Sequence, residues 1–427
     1  MERNGSAYMR GRTLRGWGGF LKGRTLAYPY RGRVEGQGIP RGLGRSYGDA
    51  SFCEGGHTWL MRGHNQLVKW EDSLFIAQAG MTLYEVIRHT LPAGWFPPVV
   101  PGTQFVTLGG AFASSIHGKN HHVAGSFAEH VEWIELRLPS GALEKLTPHH
   151  DLFWATAGGM GLTGIIETVA LHLQRIPSGF IEELLIKAQD WDVLLDTLKS
   201  QESRYSYAVA WIDHTHPRHR GIIHLGEFAA KGELKAASKS WIGIPFRPPF
   251  SLLNKWTVQM IAEFYWQKHR AGTHHIFYDT FFFPLDRIRR WDRLWGRKGF
   301  VQFQFIVPTE EGLDRVWSRL REAPARSFLT VLKRLRHQRG PLAFSGPGWT
   351  IAIDLPATEE VQRFLIRLTD VVIEEKGRIY LTKDSLLLPE QARAAYPEWE
   401  SFQALKAVID PEQRLVSNLS RRLRLTL

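Results

Sequence analysis

Apolar and polar residues follow two different periods along the chain, and these periods separate predicted helices from predicted strands. The segment "TLYEVIRHTL" has Thr82 in a position suited to an N-cap, and its apolar stripe at helical spacing consists of Leu83, Val86, Ile87 and Thr90. Shorter runs such as "LFIAQAG", "VEWIELRL" and "IIETVALHL" have the pattern of strands and are bounded by turn residues. The pattern therefore predicts a mixture of strands and helices in the amino-terminal part.

Longer amphipathic helices alternate with strands after Pro177, where we expect a domain boundary. Helical spacing is present in "DWDVLLDTLKS", "EEGLDRVWSRLREA" and "TEEVQRFLIRLTDVVIEEKG". Strand-like runs, including "YAVAWIDH", "FVQFQFIVP" and "GWTIAIDLP", are separated by such helices. This order predicts a sheet covered by helices on one face, and the predicted fold class is α+β.

Length and composition indicate a folded protein of two domains. The chain has 427 residues, more than one hydrophobic core usually serves, and 43% of them are hydrophobic. No stretch provides the ~18 uncharged apolar residues of a membrane-spanning helix, and the amino terminus lacks the ~7 to 15 apolar residues of a secretory signal. The expected location is the cytoplasm, with peripheral contact to the inner face of the membrane.

Charge and cysteine content narrow the chemistry. A formal net charge of +12 favours an anionic partner. This partner could be nucleic acid, an acidic membrane surface or a phosphorylated substrate, and charge alone does not distinguish them. Cys53 is the only cysteine, which excludes an intrachain disulfide, a cysteine zinc cluster and a redox-active thiol pair. Any redox chemistry must therefore come from a cofactor.

Residues 241–300 are dense in aromatic residues, proline and cations, as in "WIGIPFRPPFSLLNKW" and "FYWQKHR". One interpretation is a long surface loop with a partly buried helix. The other is a flexible cover over a lipid-like or phosphate-bearing ligand, because aromatic rings together with arginine suit an interfacial partner. Both interpretations are open at this point.

The histidines in "ASSIHGKNHH" suggest a metal site. His117 and His121 would share a face if the segment were helical, but Gly118 follows the first of them and no carboxylate completes a zinc-hydrolase motif. Inclusion of His122 does not complete a known spacing of metal-ligating residues. We therefore predict no metal here and expect His121 and His122 to be structural.

Three glycine-rich stretches point to a long ligand instead. Gly159, Gly161 and Gly164 in "GGMGLTG" match the dinucleotide pattern G-x-G-x-x-G, but the following "IIETVALHL" has the pattern of a strand rather than the required helix. The stretches "PRGLGRSYGD" and "PGTQFVTLGGAFASSIHG" also consist largely of small residues, which leave backbone N–H groups accessible to a pyrophosphate. A Rossmann site is therefore excluded, and a backbone cradle is expected.

Several uncommon motifs recur in order from about residue 37 to the end of the chain. They are "GLGRSYGD", "PGT…VTLGGAFASSIHGKNHH", "LFWAT.GG.GLTGII", "FVQFQFIVPTE", "GWTIAIDLP", "YLTKDS" and "DPEQRLVSNLSRRL". Together they resemble the decaprenylphosphoryl-ribose 2′-oxidase family of the vanillyl-alcohol-oxidase superfamily. The resemblance implies a two-domain FAD-linked oxidase fold, in which residues 1–176 form an FAD-binding domain of the PCMH type, completed by residues 378–427. Residues 177–377 are then the substrate domain.

The resemblance also implies which residues contact the cofactor. The implied FAD-binding residues are Gly42, Leu43, Gly44, Arg45, Ser46, Tyr47, Gly48, Gly102, Thr107, Leu108, Gly109, Gly110, Ser114, Ser115, Ile116, His117, Ile166 and Tyr380. Relatives with covalent flavin carry His or Cys in the first loop, where this chain has Tyr47. We therefore expect noncovalent FAD.

The implied reaction oxidises the 2′-hydroxyl of a polyprenylphosphoryl ribose to a ketone, with hydride passing to flavin N5, as a step in arabinose-precursor synthesis. Lys383 matches the lysine expected to stabilise the reduced flavin. We expect it to stay charged rather than to act as the base, since lowering a lysine pKa from ~10.4 to ~7 requires strong burial. His117 is the expected proton acceptor, with Tyr47 as the weaker alternative. The implied substrate-binding residues are Lys119, Gln302, Gln304, Lys333 and Lys383.

The implied partners are a polyprenylphosphoryl pentose and a short-chain dehydrogenase that reduces the keto product, with no nucleic acid. An aldonolactone or free-sugar alcohol oxidase of the same superfamily is the alternative, and a non-catalytic basic binding protein is a further one. Two positions depart from mycobacterial relatives. Ala352 replaces a cysteine, so thiol-directed inhibitors of those relatives should fail, and Phe282 replaces a tyrosine and removes a polar contact.

Overall fold

The computed structural model describes residues 10–237 and 243–426. Helices and strands are mixed throughout this part of the chain, which confirms the predicted α+β class. The elements of the amino-terminal part are β1 (Arg10–Arg15), β2 (Lys22–Pro29), β3 (Gly38–Arg41), β4 (His57–Leu60), β5 (Leu67–Glu71), β6 (Leu74–Gln78), α1 (Leu83–Thr90), β7 (Trp95–Phe96), α2 (Leu108–Ala113), α3 (His121–Ala124), β8 (Val131–Arg137), β9 (Leu143–Leu146), α4 (Asp151–Thr156), β10 (Ile165–His172) and β11 (Gln174–Arg175).

Two sheets organise this part. A four-stranded sheet has the order β1-β2-β4-β3, and a five-stranded sheet has the order β5-β6-β10-β8-β9. Helix α1 begins where the pattern predicts, because Thr82 and Glu85 form a reciprocal capping box at its amino terminus. The predicted stripe is confirmed, since the buried residues of α1 are Leu83, Val86, Ile87 and Thr90.

The second half is built on one large antiparallel sheet. Its elements, with those of the carboxyl-terminal segment, are β12 (Phe180–Ala188), α5 (Trp191–Gln201), β13 (Tyr207–Ile212), β14 (Gly221–Phe228), α6 (Lys255–Lys268), β15 (Gly272–Phe277), α7 (Tyr278–Phe282), β16 (Phe300–Val307), α8 (Glu310–Leu320), β17 (Thr330–Leu335), β18 (Gly348–Pro356), α9 (Glu359–Glu374), β19 (Arg378–Ile379), α10 (Pro389–Ala395), α11 (Trp399–Ile409) and α12 (Asn418–Arg422). Within the described residues, eight strands pair in the order β15-β12-β14-β13-β17-β18-β16-β19.

The two faces of this sheet carry different chemistry because successive strand residues point to opposite sides. In β16, Val301, Phe303, Phe305 and Val307 lie in the same core cluster as the buried leucines and valines of α5, α8 and α9. This confirms the prediction of a sheet covered by helices on one face. The residues between them belong to the opposite face, which carries Gln302 and Gln304.

The segment between β14 and β16 contains more secondary structure than a long surface loop. Residues 241 and 242 of the predicted cover lie outside the described residues, and the remainder contains α6, α7 and β15, which forms one edge of the large sheet. Among the described residues, no helix has the length and hydropathy that crossing a bilayer requires. The partly buried helix is present as α6, which buries Val258, Ala262 and Trp266.

The carboxyl-terminal segment leaves the large sheet and contacts the first glycine loop. Strand β19 pairs with β16, and the Leu419 amide then donates to the Asp49 carbonyl at 3.3 Å. Strands of the five-stranded sheet come from residues 67–172, whereas those of the eight-stranded sheet come from residues 180–379. The domain boundaries at residues 176 and 378 stay predictions.

A buried ion-pair network holds this segment in place. The Arg422 guanidinium donates to both carboxylate oxygens of Asp49, at 3.1 and 2.8 Å, and to Asp384 at 2.9 Å. It also donates to the Leu387 carbonyl at 2.7 Å. One cation therefore joins α12, the end of "GRSYGD" and the residue that follows Lys383.

Removal of this cation should destabilise the protein. We expect Arg422→Leu to lower the free energy of unfolding by about 3 kcal/mol, because two buried carboxylates lose their partner. Denaturant unfolding measures the change. In the control variant Arg421→Leu, which loses an exposed guanidinium bonded to the Glu54 carbonyl, the loss should stay below about 1 kcal/mol. Equal losses in the two variants would contradict this role of Arg422.

Candidate active site

A cavity of about 920 Å³ lies between the glycine loops and the polar face of the large sheet. Residues from distant parts of the sequence meet at its wall. The predicted site residues that line it are Gly42, Leu43, Gly44, Arg45, Ser46, Tyr47, Gly102, Thr107, Gly109, Gly110, Ser114, Ile116, His117, Lys119, Ile166, Gln302, Gln304, Lys333, Tyr380 and Lys383. The structure therefore brings together most of the residues that the motifs indicate.

Three of the predicted cofactor residues do not line this cavity. A Cβ atom on Gly48 would lie 1.9 Å from the Asp384 carbonyl oxygen, so Gly48 packs against the carboxyl-terminal segment. The Leu108 side chain is fully buried in the core. The Ser115 hydroxyl is hydrogen-bonded to the Gln338 amide. These residues support the loops from behind the cavity wall.

The first glycine loop presents a row of backbone donors. The N–H groups of residues 42–46 have no acceptor within residues 10–237 and 243–426, and all five residues line the cavity. Gly44 has a φ of +62°, which other residues rarely adopt. Such a loop, with consecutive free N–H groups, is suited to an anion such as a pyrophosphate.

The second glycine loop lies against the first one. A Cβ atom on Gly42 would lie 2.3 Å from the Thr107 hydroxyl oxygen, so a side chain there would force the two loops apart. The Thr107 hydroxyl accepts from the Gly110 amide at 3.2 Å, and the Tyr380 hydroxyl donates to the Ser114 carbonyl at 2.7 Å. The distance from Gly42 to Thr107 explains why a residue without a side chain is needed where the two loops meet.

His117 is buried where the second loop meets the large sheet. Its Nε2 atom lies 2.9 Å from the Gln304 side-chain nitrogen, and its ring is 5.6 Å from that of Phe344. Its Nδ1 atom is buried with no partner in the described part of the chain. Burial, followed by the nearby charge of Lys333, holds the pKa of His117 well below its ordinary value. The imidazole is therefore neutral at physiological pH.

The two neighbouring histidines support the fold instead. The Arg336 amide donates to His121 Nδ1 at 3.0 Å, and His122 Nε2 lies 3.0 Å from the Tyr205 carbonyl. His117 and His121 do not share a helix, because α3 begins at His121. The described residues contain no cluster of three or more His, Cys, Asp or Glu side chains arranged for metal binding.

Three half-buried lysines, Lys119, Lys333 and Lys383, line the cavity. Burial lowers the pKa of Lys119 to about 8 and that of Lys333 to about 7. The Lys119 ammonium group donates to the Phe281 carbonyl and lies 4.1 Å from the Phe281 ring centroid. Burial also lowers the pKa of Lys383, whose ammonium group lies 3.9 Å from the Tyr47 ring centroid. An anion in the cavity would restore the charge of these lysines.

The polar face of the sheet adds a carboxylate that the motif analysis missed. Asp354 lies opposite Gln302 in the β16–β18 register, and its Oδ1 atom accepts from the Gln302 amide at 2.6 Å. Its Oδ2 atom is buried without a partner in the described part of the chain. Burial raises the pKa of Asp354, and the charge of Lys383 opposes that change. The sequence feature that could have identified Asp354 is a carboxylate inside the otherwise apolar run "GWTIAIDLP".

A second polar cluster lies in another part of the cavity wall and was also missed. Glu183 and His224 pair at 2.7 Å, and the Tyr265 hydroxyl lies 3.3 Å from His224. Glu183 also partly opposes the fall in the pKa of Lys119. These residues lie on β12, β14 and α6, so no local sequence pattern connects them.

Ala352 and Phe282, where the sequence is expected to depart from mycobacterial relatives, both line the cavity. Ala352 lies opposite Gln304 in the β16–β18 register, so a side chain at this position borders the polar face. Phe282 stacks on Phe96 at a centroid distance of 5.5 Å and belongs to an aromatic cluster. The phenyl ring is therefore held by apolar contacts.

Comparisons with known proteins agree with this geometry. A model of the FAD binding domain matches residues 35–147, which include both glycine loops. Decaprenylphosphoryl-beta-D-ribose oxidase of Mycolicibacterium smegmatis is 35% identical over 409 residues, which cover 91% of this chain and 89% of that protein. An uncharacterized protein from the mprA 5′ region of Streptomyces coelicolor is 30% identical over 369 residues, covering 80% of this chain and all of that protein. The chain therefore belongs to the decaprenylphosphoryl-β-D-ribose oxidase family and is an FAD-dependent oxidoreductase.

Proposed function

We propose that this protein oxidises the 2′-hydroxyl of a polyprenylphosphoryl ribose to a ketone in the cytoplasm, in the synthesis of arabinose precursors. The observation that carries the proposal is the cavity that the two glycine loops share with three half-buried lysines and two glutamines. The ketone product would be the substrate of a short-chain dehydrogenase.

The chain's residues fit FAD, which supplies an acceptor for hydride at N5 when it is bound. The free N–H groups of residues 42–46 would hold the pyrophosphate, and the second loop with Tyr380 would enclose the flavin. Noncovalent binding is supported by Cys53, which is fully buried outside the cavity wall. Burial raises the pKa of Tyr47 well above its ordinary value, so its phenol is a poor nucleophile.

The lysines and glutamines of the cavity would bind different parts of the substrate. Lys119 and Lys333 would bind the phosphate, because an anion offsets the desolvation that lowers their pKa values. Gln302 and Gln304 would hold sugar hydroxyls from the adjacent sheet face. A free sugar or lactone has no charge to pair with the buried ammonium groups. The lysines therefore favour a phosphate-bearing substrate over the alternative.

Lys383 would stabilise negative charge that develops on the reduced cofactor. Its ammonium group lies against Tyr47, a residue of the first loop, and is therefore held at the side of the cavity where the cofactor would bind. Gln302 holds Asp354, whose carboxyl group attracts the Lys383 ammonium group. Asp354 would thus be a positioning residue for Lys383.

His117 would accept the hydroxyl proton. The imidazole is neutral because burial lowers its pKa, and Tyr47 stays protonated because burial raises its pKa. With the Gln304 amide nitrogen toward the ring, Nε2 accepts and Nδ1 carries the proton. A half-turn of the amide would reverse these roles and leave Nδ1 as a free acceptor, the state that proton removal requires. The Thr350 hydroxyl, which accepts from the same amide nitrogen at 3.2 Å, would then turn to donate to the amide oxygen.

The substrate is tested by mixing the oxidised holoprotein anaerobically with a panel of compounds while flavin absorbance is followed. A short-chain polyprenylphosphoryl ribose should bleach the flavin. Free sugar alcohols and aldonolactones should react at least ~100-fold more slowly, since the phosphate interactions are lost. Faster reduction by a lactone or free sugar would support the alternative oxidase function and refute the proposal.

Replacement of Lys383 by methionine should abolish the electrostatic contribution and keep the length of the side chain. We expect kcat to fall by roughly 10²- to 10³-fold while the flavin content stays unchanged. Stopped-flow flavin reduction measures the rate, and acid precipitation measures the noncovalent flavin released per chain. Lys231→Met, which replaces an exposed lysine away from the cavity wall, should leave both values unchanged. Normal turnover in Lys383→Met would remove Lys383 from the mechanism.

At saturating substrate, the rate should fall only on the alkaline side of the pH profile. His117 must be neutral to accept a proton and its pKa is lowered, so the rate should not fall between pH ~7 and ~5.5. Lys383 must be protonated and its pKa is also lowered, so the rate should fall as pH rises well before ~10.4. In Lys383→Arg the alkaline loss should disappear, because guanidinium stays charged. An acid limb near pH ~6.5 would contradict the assignment of His117.

A further inference from the structure

Helix α6 exposes a ridge of large apolar side chains. Trp256, Met260 and Phe264 recur at every fourth position and are 75%, 70% and 68% exposed. Side chains four residues apart lie on one face of a helix. The three residues therefore form one continuous apolar strip on the outside of the protein.

The rest of α6 is occupied by the fold and by the cavity. Val258, Ala262 and Trp266 are buried on the opposite side of the helix. Ile261 and Tyr265 line the cavity. The exposed ridge is therefore a separate surface on a helix that is already packed.

The loop before α6 also exposes large apolar side chains. Phe246, Phe250 and Leu252 are exposed, and the Leu252 amide donates to the Leu294 carbonyl at 2.8 Å. The Arg247 guanidinium donates to Asp292 at 2.5 Å, which fixes the loop against the segment before β16. The α6 face is defined here as Phe246, Phe250, Leu252, Trp256, Met260 and Phe264.

The segment that carries the α6 face has an excess of positive charge. Residues 243–300 contain ten Lys and Arg residues but only four Asp and Glu residues. Of the four acidic residues, Asp292 is paired with Arg247 and Arg290, and Glu263 is paired with Arg220. This surface is therefore complementary to an anionic one.

The α6 face adjoins the mouth of the cavity. Ile261, Lys268, Arg270 and Ile288 line the cavity and are also exposed to solvent. The first three lie on α6 or within two residues of its end. A surface that contacts the α6 face therefore also lies beside the opening through which a substrate enters.

We propose that the α6 face docks on an anionic lipid bilayer and turns the cavity mouth toward it. Large apolar side chains flanked by cations are the usual composition of an interfacial helix, whose apolar face enters the boundary between headgroups and acyl chains. The sugar phosphate of a lipid-linked substrate reaches the cavity while its prenyl chain stays in the bilayer. This use of the docked state rests on the proposed function, whereas the docking itself does not.

Vesicle flotation of the holoprotein tests the surface. The wild-type protein should float with vesicles of phosphatidylglycerol and phosphatidylcholine, and added salt should weaken this binding. The variant Trp256→Ser, Met260→Ser, Phe264→Ser should bind at least ~10-fold more weakly, because three large apolar side chains no longer leave water. Failure of the wild-type protein to float, or equal binding of the triple variant, overturns the proposal.

Two controls keep the test specific. Val408→Ser replaces a side chain of α11 that is 79% exposed and lies away from the cavity wall, and it should float like the wild type. Light scattering compares the oligomeric state of the wild-type and triple-variant proteins. A wild-type dimer that does not float and that the triple substitution dissociates would assign the face to a second copy of the chain, which overturns bilayer docking.

The test also separates docking from the proposed reaction. Trp256, Met260 and Phe264 do not line the cavity, so the triple variant should reduce its flavin normally with a water-soluble short-chain substrate. Its turnover of a long-chain substrate in anionic vesicles should fall ~10-fold or more. Flotation without oxidation of any polyprenylphosphoryl ribose would refute the proposed function alone. Equal turnover of vesicle-held substrate by both proteins would refute delivery from the bilayer.

Discussion

The Arg422 ion-pair network is the interaction on which the geometry of the site depends. It joins Asp49, two residues after Tyr47, to Asp384, the residue after Lys383. The Tyr47 amide also donates to the Thr382 carbonyl at 3.0 Å, so the same contact zone places the Lys383 ammonium group over the Tyr47 ring. The positions of the first glycine loop and of the lysine are therefore set by residues that are far apart in the chain.

The large sheet separates stability from chemistry by its two faces. The face toward α5, α8 and α9 is filled with apolar side chains that form the larger core. The opposite face carries Gln302, Gln304 and Asp354, which are buried, and Lys333, which is half-buried. Burial then shifts the pKa values of Lys333 and Asp354 toward neutrality, so one architecture supplies both a rigid support and reactive groups.

Local patterns predicted the parts of this protein that depend on local physics. The capped helix α1 and the shared orientation of Gln302 and Gln304 follow from periods of 3.6 and 2. The hydrogen-bond partners of the two glutamines could not be predicted from the local sequence, because the Gln302–Asp354 contact requires the register between β16 and β18. Burial of Lys383 is likewise a tertiary property, so the sequence could show only that strong burial would lower its pKa, not that the residue is buried. The pairing of Glu183 with His224 requires two strands to be neighbours in the sheet.

Two of the cavity lysines couple ligand binding to the proton balance of the solution. Lys333, with a pKa of about 7, and Lys119, with a pKa of about 8, are partly deprotonated in the empty cavity near neutral pH. An anion that raises these pKa values draws protons from the buffer, and the affinity for that anion weakens as pH rises. The heat of association then differs between buffers of different ionisation enthalpy. Calorimetry in two such buffers would measure how many protons the protein takes up when each anionic ligand binds.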